Sequence, residues 1–337
     1  MAGVQSRFWT GIAAAAALLG GLLVAGAGWA GPALAQDQEE ALGDVQGRGP
    51  IQIGGGTPFG LYFPLAGAIC RMVEADEATG RACRVASLPD SAAAIEALRR
   101  AEVDMALVQS DWLAHAVDGT SRFQQTGALE DLRAVAALHG EGLVILMRRG
   151  EAASGPAGLE GMRISRGPQQ SYRALLTYQL LRTVDLSVGD LAQASDEPVR
   201  EGLAKLCRGE TDAVAAITAR PAQVAAAAPA GCALDYLPID EASAAAASED
   251  MPGVAPLGLP LGAEGRRLNS FGMRAILTAT ADSDPEAVAT VTRVLIGGAE
   301  ALARQHPALS IITPGDLERA GRIAPLHPAA ASVYRGE

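Results

Sequence analysis

The side chains of this sequence that could do chemistry are suited to binding a small charged molecule. They form two sets, each placed where a predicted strand gives way to a loop or a helix. The first set comprises Thr57, Tyr62, Ser91, Gln109, Ser110 and Asp111. The second set comprises Arg166, Arg173 and Arg220. Guanidinium groups are planar, forked donors that match a carboxylate, so we expect the two sets to close on a small organic anion.

Several of these residues also have a purely structural interpretation. Ser91 and Asp111 belong to the residue types that cap helices. Tyr62 suits a core position as well as a ligand-facing one, and Arg173 suits the solvated surface of a helix. The sequence leaves these alternatives open.

Catalysis and metal binding are disfavoured. Nucleophilic catalysis needs a serine or cysteine within reach of a base, and no local motif pairs them here. No C-x-x-C or H-x-x-x-H spacing is present, and the histidines are scattered at His115, His139, His306 and His327. We expect no enzyme activity, no metal and no cofactor, with a hydrolytic enzyme as the weakest alternative.

Alternating strand and helix signals position these side chains and predict an α/β protein. In the first half, strands are predicted at Ile51–Ile53, Arg84–Ser87 and Met105–Gln109. The loop Gly54–Gly60 follows the first strand and leads into a helix with apolar residues at helical spacing. The loop lacks the signature of a phosphate loop or a dinucleotide fingerprint. It predicts either a tight turn or a place where backbone N–H groups approach an anion.

The same order of elements returns about 110 residues later. A strand at Arg163–Ser165 is followed by the loop Arg166–Ser171 and by a helix from Tyr172. The segments Leu98–Ala106 and Leu206–Val214 also share Leu, Arg, Glu and Asp in register. We therefore predict two lobes built on one plan, with helix N-termini facing each other across a cleft, a favourable place for an anion.

Two extended apolar runs connect the predicted lobes. One comprises Leu132–His139 and Leu143–Arg148, and the other is Ser270–Ala279. Two crossings suit a hinge that lets the lobes close on a ligand. The tail from Pro285 to Tyr334 is predicted to be mainly helical and to pack on the first lobe.

Composition excludes a nucleic-acid partner. The chain carries 38 acidic against 27 basic residues, a net charge of -11, and only 4% aromatic residues. A nucleic-acid binder needs a basic face and, for single strands, aromatic stacking platforms. We expect neither on this protein.

The N-terminus has the pattern of a secretory signal. Arg7 is the only charged residue among residues 1–35, and an apolar run, Phe8–Ala30, is followed by the cleavage pattern Ala33–Ala35. We predict a signal peptide at 1–35, a mature chain that begins near Gln36 with a flexible segment at 36–48, and a periplasmic location. An uncleaved membrane anchor is the alternative, since the apolar run is long enough to span a bilayer.

The chain has four cysteines, an even number that in an exported protein suggests disulfides with three possible connectivities. Cys70 lies in a predicted helix and Cys83 opens the next strand. Cys207 and Cys232 have the same relation one lobe later. We therefore predict the pairs Cys70–Cys83 and Cys207–Cys232, with four buried thiols as the alternative.

Five segments of the sequence carry a resemblance to a known family, namely Ile53–Met72, Val103–Thr120, Leu132–Glu141, Phe271–Gly272 and Ala324–Pro328. These segments resemble the TAXI family, the extracytoplasmic receptors of TRAP transporters. The resemblance implies an α/β, two-lobed periplasmic-binding-protein fold of type II, with an interlobe cleft and two hinge crossings. It also implies a small organic anion as ligand, such as an amino acid or a dicarboxylate, and TRAP transporter membrane subunits as partners.

The sequence departs from this family where a ligand should bind. The usual Thr-Gly-Gly-Ser turn is here Leu88–Ser91, a glycine- and serine-rich loop is Arg166–Ser171, and a His-Pro step is Arg220-Pro221. Lost glycines remove places where backbone N–H groups approach a ligand closely. We expect Arg166 and Arg220 to replace these donors, and a surface arginine such as Arg319 to change the binding of this ligand little.

These observations give the following division and function. Lobe 1 is expected at 49–141, lobe 2 at 142–268, and a return crossing with C-terminal helices at 269–337. The expected function is capture of the anion for a TRAP-type transporter. The alternative is a binding protein that presents its ligand to a membrane sensor.

Overall fold

The structure is a computed structural model that describes residues 49–58, 60–151, 153–262, 266–305, 309, 312 and 314–337. The predicted signal peptide and the segment 36–48 lie outside the described residues. In the described part of the chain, no helix is both long and apolar enough to cross a membrane.

Strands and helices alternate as the sequence predicts. The strands are β1 Ile51–Gly55, β2 Cys83–Ser87, β3 Met105–Gln109, β4 Leu132–Arg148, β5 Arg163–Ser165, β6 Gln193–Ser195, β7 Ala213–Thr218, β8 Leu234–Tyr236, β9 Ala255–Pro260 and β10 Arg267–Thr280. The helices are α1 Tyr62–Ala75, α2 Ser91–Arg99, α3 Ser110–Asp118, α4 Tyr172–Arg182, α5 Val199–Cys207, α6 Pro221–Ala226, α7 Glu241–Ser248, α8 Pro285–Gly297, α9 Ala299–Gln305, α10 Pro314–Leu317 and α11 Pro328–Arg335.

The strands form one continuous mixed sheet in the order β2-β1-β3-β10-β4-β7-β5-β6, with β8 on β4 and β9 on β10. The long strands β4 and β10 are the two crossings. β4 pairs antiparallel with β10 over its first part and with β7 over its second part. The two runs predicted separately on either side of Gly140 are therefore a single strand.

The buried hydrophobic side chains of the described residues form four cores, two in each half of the molecule. Strand β4 contributes residues up to Leu138 to the two cores of one half and residues from Leu143 onward to the two cores of the other half. Strand β10 changes sides between Met273 and Ala275. We call the two halves the first lobe and the second lobe, and the short segments between their cores the hinge. The fold is thus α/β with two lobes, as predicted.

The crossing strands meet at a pair of glycines in the hinge. Gly142 and Gly272 are register partners. A Cβ atom at Gly272 would lie 2.2 Å from the Glu141 carbonyl oxygen, and one at Gly142 would lie 2.5 Å from Ser270 Oγ. Only glycine allows the two backbones to approach this closely.

The repeated aspartate of the sequence has the same structural role in each lobe. Asp104 Oδ2 accepts a hydrogen bond from Gln52 N at 2.7 Å, and Asp212 Oδ2 accepts one from Arg163 N at 2.8 Å. Each aspartate therefore ties the start of the third strand of its lobe to the first. This equivalence supports the two-lobe plan and accounts for the aspartates without a functional role.

Both predicted disulfides are present, Cys70–Cys83 between α1 and β2 and Cys207–Cys232 after α5. Helix α8 packs on the first lobe. Val288, Val291 and Leu295 of α8 share a core with α1 and β1.

Candidate functional site

The glycine-rich segment after β1 serves the packing of the first lobe. Gly54 and Gly55 belong to β1 itself. A Cβ at Gly54 would lie 2.6 Å from Leu88 Cδ1, and one at Gly55 would lie 2.9 Å from Phe63 Cα. These glycines allow α1 and the chain after β2 to approach the strand. Thr57 follows them on an exposed turn, where its carbonyl accepts a hydrogen bond from Gly60 N at 2.9 Å.

Ser91 holds the end of β3 in place. Its Oγ accepts a hydrogen bond from Gln109 N at 3.1 Å. The cap of α2 is Asp90, whose side chain accepts from Ala93 N at 2.9 Å. The interpretation of Ser91 as a helix cap is therefore wrong, because the preceding aspartate has the extended backbone of a cap residue.

Ser110 connects the two lobes. It is buried at the first residue of α3, donates a hydrogen bond to the Gly253 carbonyl at 2.5 Å and accepts one from Arg274 N at 2.9 Å. Gly253 precedes β9 in the second lobe, and Arg274 lies on the crossing strand β10. The Ser110 hydroxyl thus uses its donor and an acceptor position to join three segments.

Four polar side chains of the first lobe and the hinge form a cluster. Glu141 of β4 accepts a hydrogen bond from Gln109 Nε2 at 3.1 Å and lies 3.2 Å from His139 Nε2. The Tyr62 ring packs edge-on against His139, with ring centroids 5.6 Å apart. The Tyr62 hydroxyl and His139 Nδ1 are buried and have no hydrogen-bond partner among the described residues. Buried polar groups without partners are rare in folded proteins and are suited to a ligand.

Burial dominates the electrostatics of this cluster. It raises the pKa of Tyr62 well above its ordinary value, and the charges of Glu141 and Asp111 raise it further. Burial also raises the pKa of Glu141, but hydrogen bonds from His139 and Gln109 outweigh it, so the net pKa is lowered. The cluster therefore combines an ionised carboxylate with a phenol that keeps its proton.

Asp111 of α3 is a further buried carboxylate, and its charge raises the pKa of Tyr62. It is 5% exposed, and its Oδ1 has no hydrogen-bond partner in the described part of the chain. Burial and the charge of Asp111 raise the pKa of the hydroxyl of Tyr172, the first residue of α4 in the second lobe. Burial raises the pKa of Asp111, although backbone hydrogen bonds and the side chains of His115 and Tyr172 oppose the shift.

Arg166 is a buried arginine of the second lobe with partners close to it in that lobe. Arg166 is buried, donates from Nη1 to the Gly167 carbonyl at 2.6 Å and lies 3.2 Å from Asp196 Oδ1. Its guanidinium carbon lies 5.4 Å from the centre of the Tyr178 ring. The buried Nε of Arg166 has no partner among the described residues, so one N–H of the fork remains for a ligand.

Arg173 is a buried structural residue. It donates from Nη1 to the Ala215 carbonyl at 3.2 Å and from Nη2 to the Glu197 carbonyl at 2.5 Å. A Cβ at Gly167, where φ is +82°, would lie 2.3 Å from its guanidinium nitrogens. The alternative that Arg173 is solvated is therefore wrong. Its side chain supports the loop that carries Arg166.

The predicted site residues therefore separate into groups. Tyr62 and Gln109 lie in one polar cluster with His139 and Glu141, and the charge of Asp111 acts on Tyr62. Arg166 and Arg173 lie together in the facing lobe, and burial together with the charge of Arg166 lowers the pKa of Arg173 against the opposing charges of Glu197 and Asp196. Thr57 is exposed, and half-buried Arg220 donates from its backbone N to Thr218 Oγ1 at 2.9 Å before α6. Both lie outside the hydrogen-bonded cluster.

His139 and Glu141 are not among the site residues predicted from the sequence. Alternate residues of a strand point to one face, which predicts their proximity. That this face meets Tyr62 and Gln109 depends on the packing of α1 and β3. Within the described ranges, no three His, Cys, Asp or Glu side chains are grouped to hold a metal ion.

Two α/β lobes joined by two crossing strands are the fold of the two-lobed periplasmic binding proteins. The chain belongs to the NMT1-like family, whose model matches residues 53–337.

Among solved structures, the chain is similar to a TctC solute binding protein from Polaromonas, at 15% identity over 86% of this chain and 98% of that one, with a TM-score of 0.53. It is also similar to the periplasmic aliphatic sulphonate binding protein SsuA from Escherichia coli, at 15% identity over 86% and 79% of the two chains, with a TM-score of 0.43. At such low identity the TctC likeness concerns the fold alone.

Proposed function

We propose that the protein captures a small organic anion in the interlobe cleft, outside the cytoplasmic membrane, and delivers it to a TRAP-type transporter. The observation that carries the proposal is a set of buried polar atoms, from both lobes and the hinge, that have no hydrogen-bond partner among the described residues: the Tyr62 hydroxyl, Asp111 Oδ1, His139 Nδ1 and Arg166 Nε. Unsatisfied buried groups cost about 1–3 kcal/mol each. A bound ligand would recover that cost.

The charges favour an amino acid within the expected class of ligands. The first lobe offers the carboxylates of Asp111 and Glu141, and the second lobe offers the guanidinium of Arg166. A zwitterion places its ammonium group against the first set and its carboxylate against the second. A plain dicarboxylate would bring a negative group toward Glu141, and such like-charge contacts are unfavourable.

A thermal-shift screen tests the ligand class. Each amino acid is paired with the carboxylate that lacks only the ammonium group, such as glutamate with glutarate. A ligand present at 100 times its Kd stabilises the folded protein by about 2.7 kcal/mol through mass action. We expect amino acids to raise the melting temperature more than their carboxylate partners. Equal or larger shifts with the carboxylates would contradict the zwitterion assignment.

Calorimetry on variants then tests the site. Arg166→Ala should weaken binding by about 2 kcal/mol, a thirtyfold loss, because the ligand carboxylate loses a charge-assisted hydrogen bond. Arg166→Lys should restore part of it, since lysine lacks the planar fork. Glu141→Gln should weaken the amino acid more than the matched carboxylate. The control is Arg100→Ala on the exposed end of α2. Parent-like binding by Arg166→Ala and Glu141→Gln would refute the site.

The proposed partner is supported by the resemblance to the TAXI receptors. In this proposal, residues 49–141 and 269–337 form the first lobe and residues 142–268 form the second, after a cleaved signal peptide at residues 1–35. Presentation of the same ligand to a membrane sensor would use identical binding chemistry. The neighbouring genes distinguish transport from presentation to a sensor. TRAP membrane subunits encoded there support the transport role, and a sensor kinase without such subunits contradicts it.

A further inference from the structure

A cavity lies at the hinge and shares only His139 with the residues of the proposed ligand site. Its volume is about 510 Å³, within the usual range for small-molecule sites. Its walls come from the hinge segment Leu138–Gly140, from β9 and β10, from α7, and from the C-terminal segment at Asp316 and Arg319. None of the nine side chains predicted to bind ligand contributes to these walls.

Three arginines give the cavity its chemistry. Arg267, Arg274 and Arg319 line it, together with the carboxylates of Glu241 and Asp316. Asp316 Oδ1 lies 3.0 Å from Arg319 Nη1, and that aspartate side chain is only 13% exposed. Counting these five groups as ionised, the lining carries an excess of one positive charge.

Arg274 is the inner member of this set. It is half-buried on β10 and donates from Nη1 to the Leu138 carbonyl over 3.4 Å, a long hydrogen bond. Burial lowers the pKa of its guanidinium, the charges of Arg319 and Arg267 lower it further, and Asp316 opposes them. Crowding of like charges in a partly buried place is unfavourable, and Glu241 and Asp316 offset only two of the three positive charges.

His139 is a second indication that the cavity takes a ligand. It lines the cavity and is 1% exposed, and its Nδ1 has no hydrogen-bond partner in the described part of the chain. Its Nε2 faces Glu141 of the polar cluster. This side chain therefore touches both the hinge cavity and the cluster of the interlobe cleft.

We propose that the hinge cavity binds a small dianion, either a phosphate or a short dicarboxylate, through the guanidinium groups of Arg267, Arg274 and Arg319. Arginine forks bind both kinds of oxyanion through paired hydrogen bonds. The lining joins elements of both lobes across the crossing strands. A dianion that bridges them would favour one arrangement of the hinge and thereby change the affinity of the cleft for its own ligand.

Calorimetric titration of the mature protein in an amine buffer, with inorganic phosphate and separately with malonate, tests this site. We expect saturable binding of at least one probe, which identifies the source of the dianion. Arg319→Ala and Arg267→Ala should each weaken it at least tenfold. Arg166→Ala, which alters the interlobe cleft, and Arg100→Ala should leave it unchanged. These two rim arginines are chosen because loss of the more buried Arg274 endangers folding, and thermal melts verify each variant.

Failure of this site and failure of the proposed function are separable. Absence of binding for both probes, or binding that Arg319→Ala and Arg267→Ala leave intact, overturns the hinge site and leaves the cleft untouched. Loss of probe binding in Arg166→Ala would also overturn it, because the dianion would then occupy the cleft. Parent-like amino-acid binding by Arg166→Ala contradicts the cleft assignment alone.

Discussion

Replacement of Gly253 by alanine tests whether the contact between the lobes depends on a single glycine. Gly253 has a φ of +74°, and a Cβ there would lie 2.2 Å from the Ser110 carbonyl oxygen and 2.4 Å from Asp111 Cα. Both neighbours are backbone atoms at the start of α3, so no side chain can rotate away. The Gly253 segment must therefore move away from the first lobe.

The expected cost has two parts. A left-handed backbone conformation costs an alanine about 1 kcal/mol. The displacement also breaks the hydrogen bond from Ser110 Oγ to the Gly253 carbonyl, 2.5 Å long, and leaves a buried group unpaired, which costs about 2 kcal/mol more. We expect Gly253→Ala to lower the free energy of unfolding by about 3 kcal/mol.

Gly150→Ala is the matched control. Gly150 has a φ of +82°, and a Cβ there would meet nothing within 4 Å. It should cost only the backbone term, about 1 kcal/mol. Urea denaturation of both variants measures the difference. Ligand affinity should fall in Gly253→Ala and stay at the parent value in Gly150→Ala. Equal losses of stability in the two variants would refute the steric argument.

Three further predictions follow from single contacts. Asp111→Asn should raise the melting temperature at pH 7 while weakening ligand binding. Burial raises the pKa of Asp111 in the folded protein. The free energy of unfolding therefore falls as the pH rises from the ordinary aspartate pKa to the raised one. The gain from asparagine should vanish below pH ~3.9, the ordinary aspartate pKa, and a gain that persists at pH 3 would contradict it. Asp104→Ala should cost about 1 kcal/mol in urea denaturation, because Gln52 N loses its 2.7 Å acceptor; an unchanged midpoint would contradict this role. Replacing Cys207 and Cys232 by serine should lower the free energy of unfolding in urea by about 3.5 kcal/mol, the loop-closure term for 25 residues, and an unchanged value would contradict it.

Some features of the fold follow from local pattern. Strands β3 and β5 begin and end where the sequence predicts, because short apolar runs bounded by polar residues have few alternatives. Both disulfides join a helix to an element close by in the chain, so proximity along the sequence favours them. The recurrence of Asp104 and Asp212 in register indicated two similar lobes, and the shared hydrogen-bonding role supplies its physical reason.

The binding surface is different, because it consists of contacts between residues far apart in the chain. Ser110 and Gly253 lie 143 positions apart, and nothing in the sequence indicates that they form a hydrogen bond. Arg173 has the spacing of a helix residue, and only packing under Gly167 decides that it is buried. His139 and Glu141 acquire their partners from α1 and β3. The sequence therefore determined the elements and their order, through short-range propensity and apolar periodicity. The tertiary structure alone decided which polar groups are buried together, because burial depends on the packing of distant segments.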